Sequence, residues 1–270
     1  MEIIESYIKG KIDNKCDDGL FINDNFIVVI DGVTSKGKIL WDGKQSGEFA
    51  KEIICNELEN MDIEIDAYSA IEQLNNAIKR SYGDKYEIAK NHVEEKIAAT
   101  VIIYSKFRNE IWIFGDCQCL VNGKYYNNPK IIDKILSEVR SLYIDLELLN
   151  GKNKEEISND DKGREYILPL IKETIKYANN YNSEYGYNVL DGFEIDSKKC
   201  VIVKVNNNDE IVLASDGYPH LKGTLKESED ALKEIIEKDP LCIHLFKSTK
   251  GLVSGNNSFD DRTYIRFVIK

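Results

Sequence analysis

The sequence lacks the long apolar segments that mark membrane and secreted proteins. No apolar run in its 270 residues approaches the roughly 18 residues needed to span a bilayer. The first five residues, Met1–Glu5, have neither a basic flank nor a long apolar core, so we expect no signal peptide. We therefore expect a cytoplasmic protein without a membrane partner.

Positive charge is dispersed and outnumbered by negative charge. The chain has 36 Lys and Arg against 47 Asp and Glu, a net charge of −11, and its lysines are interspersed with acids. Because phosphate backbones are bound by clustered Lys and Arg, this distribution argues against a nucleic-acid partner. The surplus of carboxylates leaves room for divalent cations.

Thiol and imidazole ligands are also few. The six cysteines are scattered, and although Cys117 and Cys119 lie close in sequence, no second pair of Cys or His completes a zinc set. The three histidines, His92, His220 and His244, lie in no ligand motif. A metal site in this chain is therefore expected to use oxygen ligands.

Apolar periodicity predicts both strands and helices. Helices are predicted near 46–60 and 67–82, with Asp66 as the N-cap of the second. The runs "KIAATVIIYS" and "EIWIFGDCQCLVNGKYY" predict a hairpin around a polar turn at 106–109, and "CVIVKV" and "EIVLAS" predict another. A polar, helical insert is predicted around 125–195.

This order of elements indicates the fold class. Antiparallel strand runs with helices inserted in pairs fit an α+β layered architecture better than a regular βαβ alternation. No repeat or linker divides the sequence, so we expect residues 1–270 to form a single domain.

Acidic residues recur where strands end. The apolar run "FIVVI" leads into Asp31-Gly32, and "EIVLAS" leads into Asp216-Gly217. The complete set consists of Asp17-Asp18, Asp31, Asp116, Asp216 and Asp260-Asp261. One Asp-Gly pair alone is typical of an ordinary turn. Five such positions, brought to one edge of the sheets, would form a carboxylate cluster that needs compensating charge.

Divalent cations would supply that charge. Mg²⁺ and Mn²⁺ are hard ions that prefer oxygen ligands. Two bridged ions would lower the pKa of a water molecule and stabilise a phosphoryl oxygen. The acidic set therefore predicts phosphate chemistry at a two-metal site.

The ordered motifs resemble those of the metal-dependent type 2C protein serine/threonine phosphatases, as a divergent, bacterial-type member. The matching segments are Asp17-Asp18, Asp31-Gly32, Ala99-Thr100, Gly115-Asp116-Cys117, Ser215-Asp216-Gly217 and Asp260-Asp261-Arg262-Thr263. The similarity covers nearly the whole chain and is weakest over about 125–195. It implies a four-layer αββα sandwich, with two central, mainly antiparallel sheets flanked by helices and a metal cluster at one end.

The resemblance also implies roles for the acidic residues around two core Mg²⁺ or Mn²⁺ ions. Asp31 would bridge the two ions, and the Gly32 carbonyl would bind one of them. Asp216 and Asp260 would hold the other ion. Asp18 would contact the metals through water.

Asp116 would bind a third ion, held more weakly than the two core ions. Asp18, Asp31 and Asp216 would be the catalytic residues. A metal-bridging hydroxide would attack phosphorus in line, without a phosphoenzyme.

The chain departs from the family pattern at several positions, including Asp17-Asp18 in place of Glu-Asp and Asp261 in place of asparagine. The phosphate-binding arginine usual four residues before the acidic pair is replaced by Asp13, and the histidine that can follow Asp-Gly is replaced by Val33. Lys11, Lys15 and Arg262 are the candidates for binding phosphate instead.

The predicted activity is hydrolysis of phosphoserine and phosphothreonine in a phosphorylated protein partner. The departures leave two alternatives open. One is a degenerate family member that acts as a binding or regulatory scaffold, and the other is a phosphatase for small phosphate metabolites.

Overall fold

The computed structural model describes residues 1–270 and contains two five-stranded sheets. The first sheet contains, in spatial order, β1 (Glu2–Lys9), β10 (Arg262–Val268), β9 (Glu210–Ala214), β6 (Gln118–Val121) and β7 (Lys124–Asn127). The second contains β2 (Gly19–Ile22), β3 (Phe26–Gly32), β4 (Ala99–Ser105), β5 (Glu110–Phe114) and β8 (Val201–Lys204). Every neighbouring pair of strands is antiparallel.

Strand β3 is apolar from Phe26 to Ile30 because this part is covered on both faces. Ile27 and Val29 pack into the core between the two sheets, whereas Phe26, Val28 and Ile30 pack against the helices on the outer side. This division follows from the alternation of side chains along a strand. The sheets and their covering helices thus confirm the predicted α+β sandwich.

Helices α1 (Ser46–Glu59) and α2 (Ala67–Ser81) contribute buried side chains to the core outside the second sheet. The Asp66 side chain accepts hydrogen bonds from the backbone N–H groups of Tyr68 and Ser69, which confirms the predicted N-cap of α2. The short α3 (Tyr86–Asn91) follows, and α7 (Leu225–Lys238) packs against β1 and β10.

The segment around 125–195 contains several helices. It contains α4 (Ile131–Leu149), α5 (Lys154–Asn159) and α6 (Lys162–Thr174), and α4 packs against α6.

None of the helices combines the length and the apolar composition that crossing a membrane requires.

The first predicted hairpin is confirmed, since β4 pairs with β5 across the turn at 106–109. The run that includes β5 then leaves the second sheet at Gly115. This residue has a φ of 111°, which favours glycine. The chain continues into β6 and β7 of the first sheet.

The second predicted hairpin is wrong. Strand β8 pairs with the edge of β5 in the second sheet, whereas β9 lies between β6 and β10 in the first sheet. The side chains of β9 explain its place. Ile211 and Leu213 pack between the sheets, and Val212 and Ala214 pack on the outer face, so β9 needs cover on both sides.

Gly32 lies at a close approach of three chain segments. A Cβ atom at this position would lie 2.4 Å from the carbonyl oxygen of Asp17 and 2.6 Å from that of Gly47 in α1. Both distances are shorter than real Cβ contacts, so only glycine lets the end of β3 pass between these carbonyls.

We expect Gly32→Ala to reduce the free energy of unfolding by about 1–3 kcal/mol, the usual cost of overpacking a filled site. Urea unfolding of the metal-free protein measures the change. Gly223→Ala is the matched control, because a Cβ atom there meets nothing within 4 Å. Equal destabilisation by both substitutions would contradict the packing at Gly32.

Candidate metal centre

The acidic residues predicted from the sequence lie at one end of the two sheets. Asp31 lies opposite Thr100, the second residue of β4. Because β5 is antiparallel to β4, the end of β5, and with it Asp116, lies at the same edge. In the other sheet Asp216 follows the end of β9, next to the start of β10 and the preceding Asp260.

Three of these carboxylates are close together. The side chains of Asp31, Asp116 and Asp216 each offer an oxygen atom, and these three oxygens lie within 4.8 Å of one another. Burial raises the pKa of Asp31 well above its usual value, and the negative charges of Asp18 and Asp116 raise it further. Burial and the negative charge of Asp31 likewise raise the pKa of Asp216. The residue lies within the cavity, where part of its surface is exposed to solvent.

Asp116 is compensated by a lysine. The Nζ atom of Lys130 lies 2.6 Å from one carboxylate oxygen, and the Thr100 hydroxyl donates a hydrogen bond of 3.0 Å to the other. Burial raises the pKa of Asp116, but these two contacts outweigh burial and leave the pKa below its ordinary value. Lys130 also lies 5.3 Å from the centre of the Tyr187 ring, so its ammonium contacts both the Asp116 carboxylate and an aromatic ring.

Lys130 was missed by the sequence reasoning. It is the residue immediately before α4, at the start of the insert. In the sequence it is only a lysine between a predicted strand and a predicted helix. Such lysines are common, and nothing near it indicates that it pairs with Asp116.

Asp18 is more deeply buried than the three clustered carboxylates, with 2% of its surface exposed. The Thr263 hydroxyl donates a hydrogen bond of 3.0 Å to it. Burial raises the pKa of Asp18 well above its ordinary value, and the negative charges of Asp261 and Asp216 act in the same direction.

Asp260 is held by two lysines. Lys11 lies 2.8 Å from one carboxylate oxygen, and Lys250 pairs with the other. Burial raises the pKa of Asp260, but the two ammonium groups outweigh burial and lower it. Lys11, a candidate for phosphate binding, is therefore engaged with Asp260, and its Nζ also lies 3.6 Å from Asp261.

The other two candidates for phosphate binding do not line the cavity beside the acids. Lys15 is exposed on the surface. Arg262 is buried, and its guanidinium makes two hydrogen bonds of 2.7 and 2.8 Å with Glu229 and a third with the Ser258 hydroxyl. The expectation that Arg262 binds phosphate is thus not supported, because α7 supplies a carboxylate partner that the sequence alone does not place there.

The close carboxylates face a cavity of about 620 Å³. Asp31, Gly32, Asp116, Asp216 and Asp260 all line it, together with side chains from α4 and α6 of the insert. None of the three histidines lines the cavity. The cavity therefore offers oxygen ligands and ammonium groups, but no imidazole.

This donor set fits a hard divalent cation. Asp31 and Asp216 have raised pKa values and lack a cationic side chain within 4 Å, so a cation between them would replace repulsion with attraction. Mg²⁺ and Mn²⁺ favour such carboxylate oxygens, and both ions retain water ligands, for which the cavity has room. Asp260 fits less well, since both of its oxygens already contact lysines.

No protein-family model matches the chain, and no curated protein sequence matches it. Solved structures do match. A serine/threonine phosphatase of Mycobacterium tuberculosis, PstP/Ppp, is 13% identical with a TM-score of 0.50, and the match covers 100% of both chains. The catalytic domain of PstP in complex with two manganese ions is 13% identical with a TM-score of 0.48, also over both full chains.

The phosphatase Stp1 of Staphylococcus aureus is 18% identical with a TM-score of 0.47, covering 100% of this chain and 98% of that one. The match to the Mycobacterium tuberculosis enzyme extends over both chains from end to end, so it includes the insert as well as the two sheets. The resemblance seen in the sequence is thus confirmed at the level of the fold.

We expect Asp31→Asn to remove most of the stabilisation that Mn²⁺ gives. An ion at about 100 times its Kd stabilises a folded protein by about 2.7 kcal/mol. In EDTA, by contrast, Asp31→Asn should melt at a higher temperature than the wild type, because it removes one of the repelling charges. Thermal melting with Mn²⁺ and with EDTA measures both effects.

Asp24→Asn is the control for this comparison, because Asp24 is exposed and lies outside the cavity. It should melt like the wild type in both conditions. A Mn²⁺ response in Asp31→Asn equal to that of the wild type would show that Asp31 is not a ligand.

We expect Lys130→Gln to bind Mn²⁺ several-fold more tightly than the wild type, because the substitution removes the cation that competes for Asp116. Isothermal titration calorimetry measures the affinity. Lys134→Gln is the control, since Lys134 also lines the cavity but pairs with no carboxylate. Weaker Mn²⁺ binding in Lys130→Gln would contradict competition between lysine and metal.

Proposed function

We propose, for a chain with the fold of the metal-dependent type 2C serine/threonine phosphatases, that residues 1–270 act as one phosphatase domain. Its substrates would be phosphoserine and phosphothreonine in proteins, hydrolysed with Mg²⁺ or Mn²⁺. The observation that carries this proposal is the convergence of Asp31, Asp116 and Asp216, whose oxygens lie within 4.8 Å of one another at the wall of a cavity.

Asp31 and Asp216 would be the principal ligands of the core ions, because they have no cationic partner of their own. When bound, divalent cations lower the pKa of water and stabilise the oxygens of a phosphoryl group. Asp18, oriented by the Thr263 hydroxyl, adds negative charge beside Asp31 and so favours cations there. At Asp116 the ammonium of Lys130 already supplies a positive charge, at the place where the resemblance implied a third ion.

A protein substrate is proposed because the phosphatase of Mycobacterium tuberculosis with the same fold is a serine/threonine phosphatase. One observation favours a second candidate, a small phosphorylated molecule. The cavity of about 620 Å³ lies within the range of roughly 300–1,000 Å³ that is usual for small-molecule sites. The same assay, run with different substrates, distinguishes the two.

We expect the wild type to hydrolyse p-nitrophenyl phosphate with Mn²⁺ and not with EDTA. Asp31→Asn and Asp216→Asn should each lower kcat/KM by at least about 100-fold, because even the outer-shell partners of a metal typically account for 10- to 100-fold. Asp24→Asn should retain wild-type activity. Phosphoserine peptides and small phosphate esters are then compared under the same conditions.

A preference for phosphopeptides would support the protein substrate, and a preference for one small ester would support the second candidate. Absence of turnover in folded protein that binds Mn²⁺ would contradict both and favour a metal-binding scaffold. Turnover that is equal in wild type and Asp216→Asn would exclude the acidic cluster as its source.

A further inference from the structure

Two half-buried cations of the cavity have no carboxylate partner within 4 Å. Most lysines that line the cavity are paired: Lys96 lies 2.6 Å from Asp191, Lys130 pairs with Asp116, Lys247 with Glu138 and Lys250 with Asp260. Lys36 and Arg164 line the same cavity without such a partner. In a protein with a net charge of −11, unpaired cations inside a cavity need an explanation.

The positions of both cations are fixed by backbone contacts. Lys36 lies in the loop that follows β3, and its Nζ atom donates a hydrogen bond of 2.9 Å to the Thr34 carbonyl. Arg164 lies in the first turn of α6, and one of its terminal nitrogens donates a hydrogen bond of 2.9 Å to the Thr249 carbonyl. Each cation therefore keeps most of its N–H groups free for another acceptor.

Repulsion from neighbouring cations contributes to the lowered pKa values of Lys36 and Arg164. Burial and the positive charges of Arg164 and Lys250 lower the pKa of Lys36 to about 8. Lys11 adds further positive charge, and the negative charge of Asp260 acts in the opposite direction. Asp133, which also lines the cavity, is a second negative neighbour of Lys36, but it forms no ion pair within 4 Å.

Burial also lowers the pKa of Arg164, and the positive charge of Arg140 acts in the same direction. This shift is opposed by the negative charges of Asp161, Asp133 and Asp260. Because unpaired buried charge is costly, an anion between Lys36 and Arg164 would stabilise both.

The arrangement places this pair close to the acidic cluster. Lys36 is five residues after Asp31, on the loop that leaves the same strand, and both residues line one cavity. Arg164 approaches from the insert, so loop and insert together enclose the space. An anion bound here would share the cavity with any ion held by Asp31 and Asp216.

We propose that Lys36 and Arg164 form an oxyanion-binding subsite that holds the phosphoryl oxygens of the substrate. The identity of the anion as the substrate's phosphoryl group rests on the proposed function. Guanidinium groups bind phosphate oxygens with directed N–H bonds, and an ammonium group adds a point charge. Lys36 and Arg164 thus take the role for which the sequence suggested Lys11, Lys15 and Arg262.

Inorganic phosphate is the probe for this subsite. Its Kd for the full-length, Mn²⁺-loaded protein is measured by isothermal titration calorimetry in wild type, Lys36→Met and Arg164→Met. Each substitution should raise the Kd about 10- to 100-fold, the usual effect of losing a hydrogen bond to a charged group. Lys38→Met is the matched control, because Lys38 is exposed and does not line the cavity. Mn²⁺ affinity, measured separately, should not weaken in any variant.

A pH series tests Lys36 independently. A lysine loses its charge as the pH rises through its pKa, so phosphate should bind the wild type less tightly above pH 8. Lys36→Arg keeps its charge in this range and should lose that step. A step of equal size in Lys36→Arg would exclude Lys36 as its origin.

Each outcome of the phosphate titrations decides the proposal. No phosphate binding to the wild type, or an unchanged Kd in Lys36→Met, would overturn the subsite. Weakened binding in the variants, together with a wild type that hydrolyses no phosphate ester, would retain the subsite and overturn the proposed function. If Arg164→Met unfolds through loss of its Thr249 contact, Arg164→Lys replaces it and should raise the Kd less than Lys36→Met.

Discussion

Mutual repulsion among acidic side chains at one end of the two sheets determines the character of the site. Asp31, Asp116 and Asp216 are brought within 4.8 Å of one another, with Asp18 buried nearby. Burial and like charge both oppose ionisation at such a site. Lysines offset this cost at some of the carboxylates, whereas the others have no cationic partner.

The difference between the carboxylates gives the site its chemical character. Lys130 neutralises Asp116, and two lysines hold Asp260, so these acids are satisfied by the protein itself. Asp31 and Asp216 have no such partner. Uncompensated negative charge therefore remains at these two residues. They face the same cavity as Lys36 and Arg164, whose positive charges have no carboxylate partner within 4 Å.

Much of this arrangement could be predicted from the sequence because its causes are local. A continuous apolar run that stops at Asp-Gly predicts a buried strand with a carboxylate at its end, and β3 and β9 have that form. The order of such stops along the chain carries the resemblance to the type 2C phosphatases, and that resemblance implied the sandwich. The Asp66 cap was predictable for the same reason, since an N-cap depends on residues within one turn.

The remainder depends on contacts between distant segments, which local patterns do not encode. The choice of β5 rather than β9 as the partner of β8 depends on which sheet edge is free. Arg262 was expected near phosphate but binds Glu229 of α7 instead. Lys130 and Arg164 reach the cavity only because the insert folds over it, so their roles were not visible in the sequence.

The central claim is that Asp31 and Asp216 hold divalent metal. Anomalous diffraction at the manganese edge, from crystals grown with Mn²⁺, tests this claim most directly. Anomalous peaks are expected within about 2.0–2.6 Å of carboxylate oxygens of Asp31 and Asp216, the distances of hard cations from oxygen ligands. Crystals that bind Mn²⁺ elsewhere, or that leave these two carboxylates without a peak at saturating Mn²⁺, would contradict the claim.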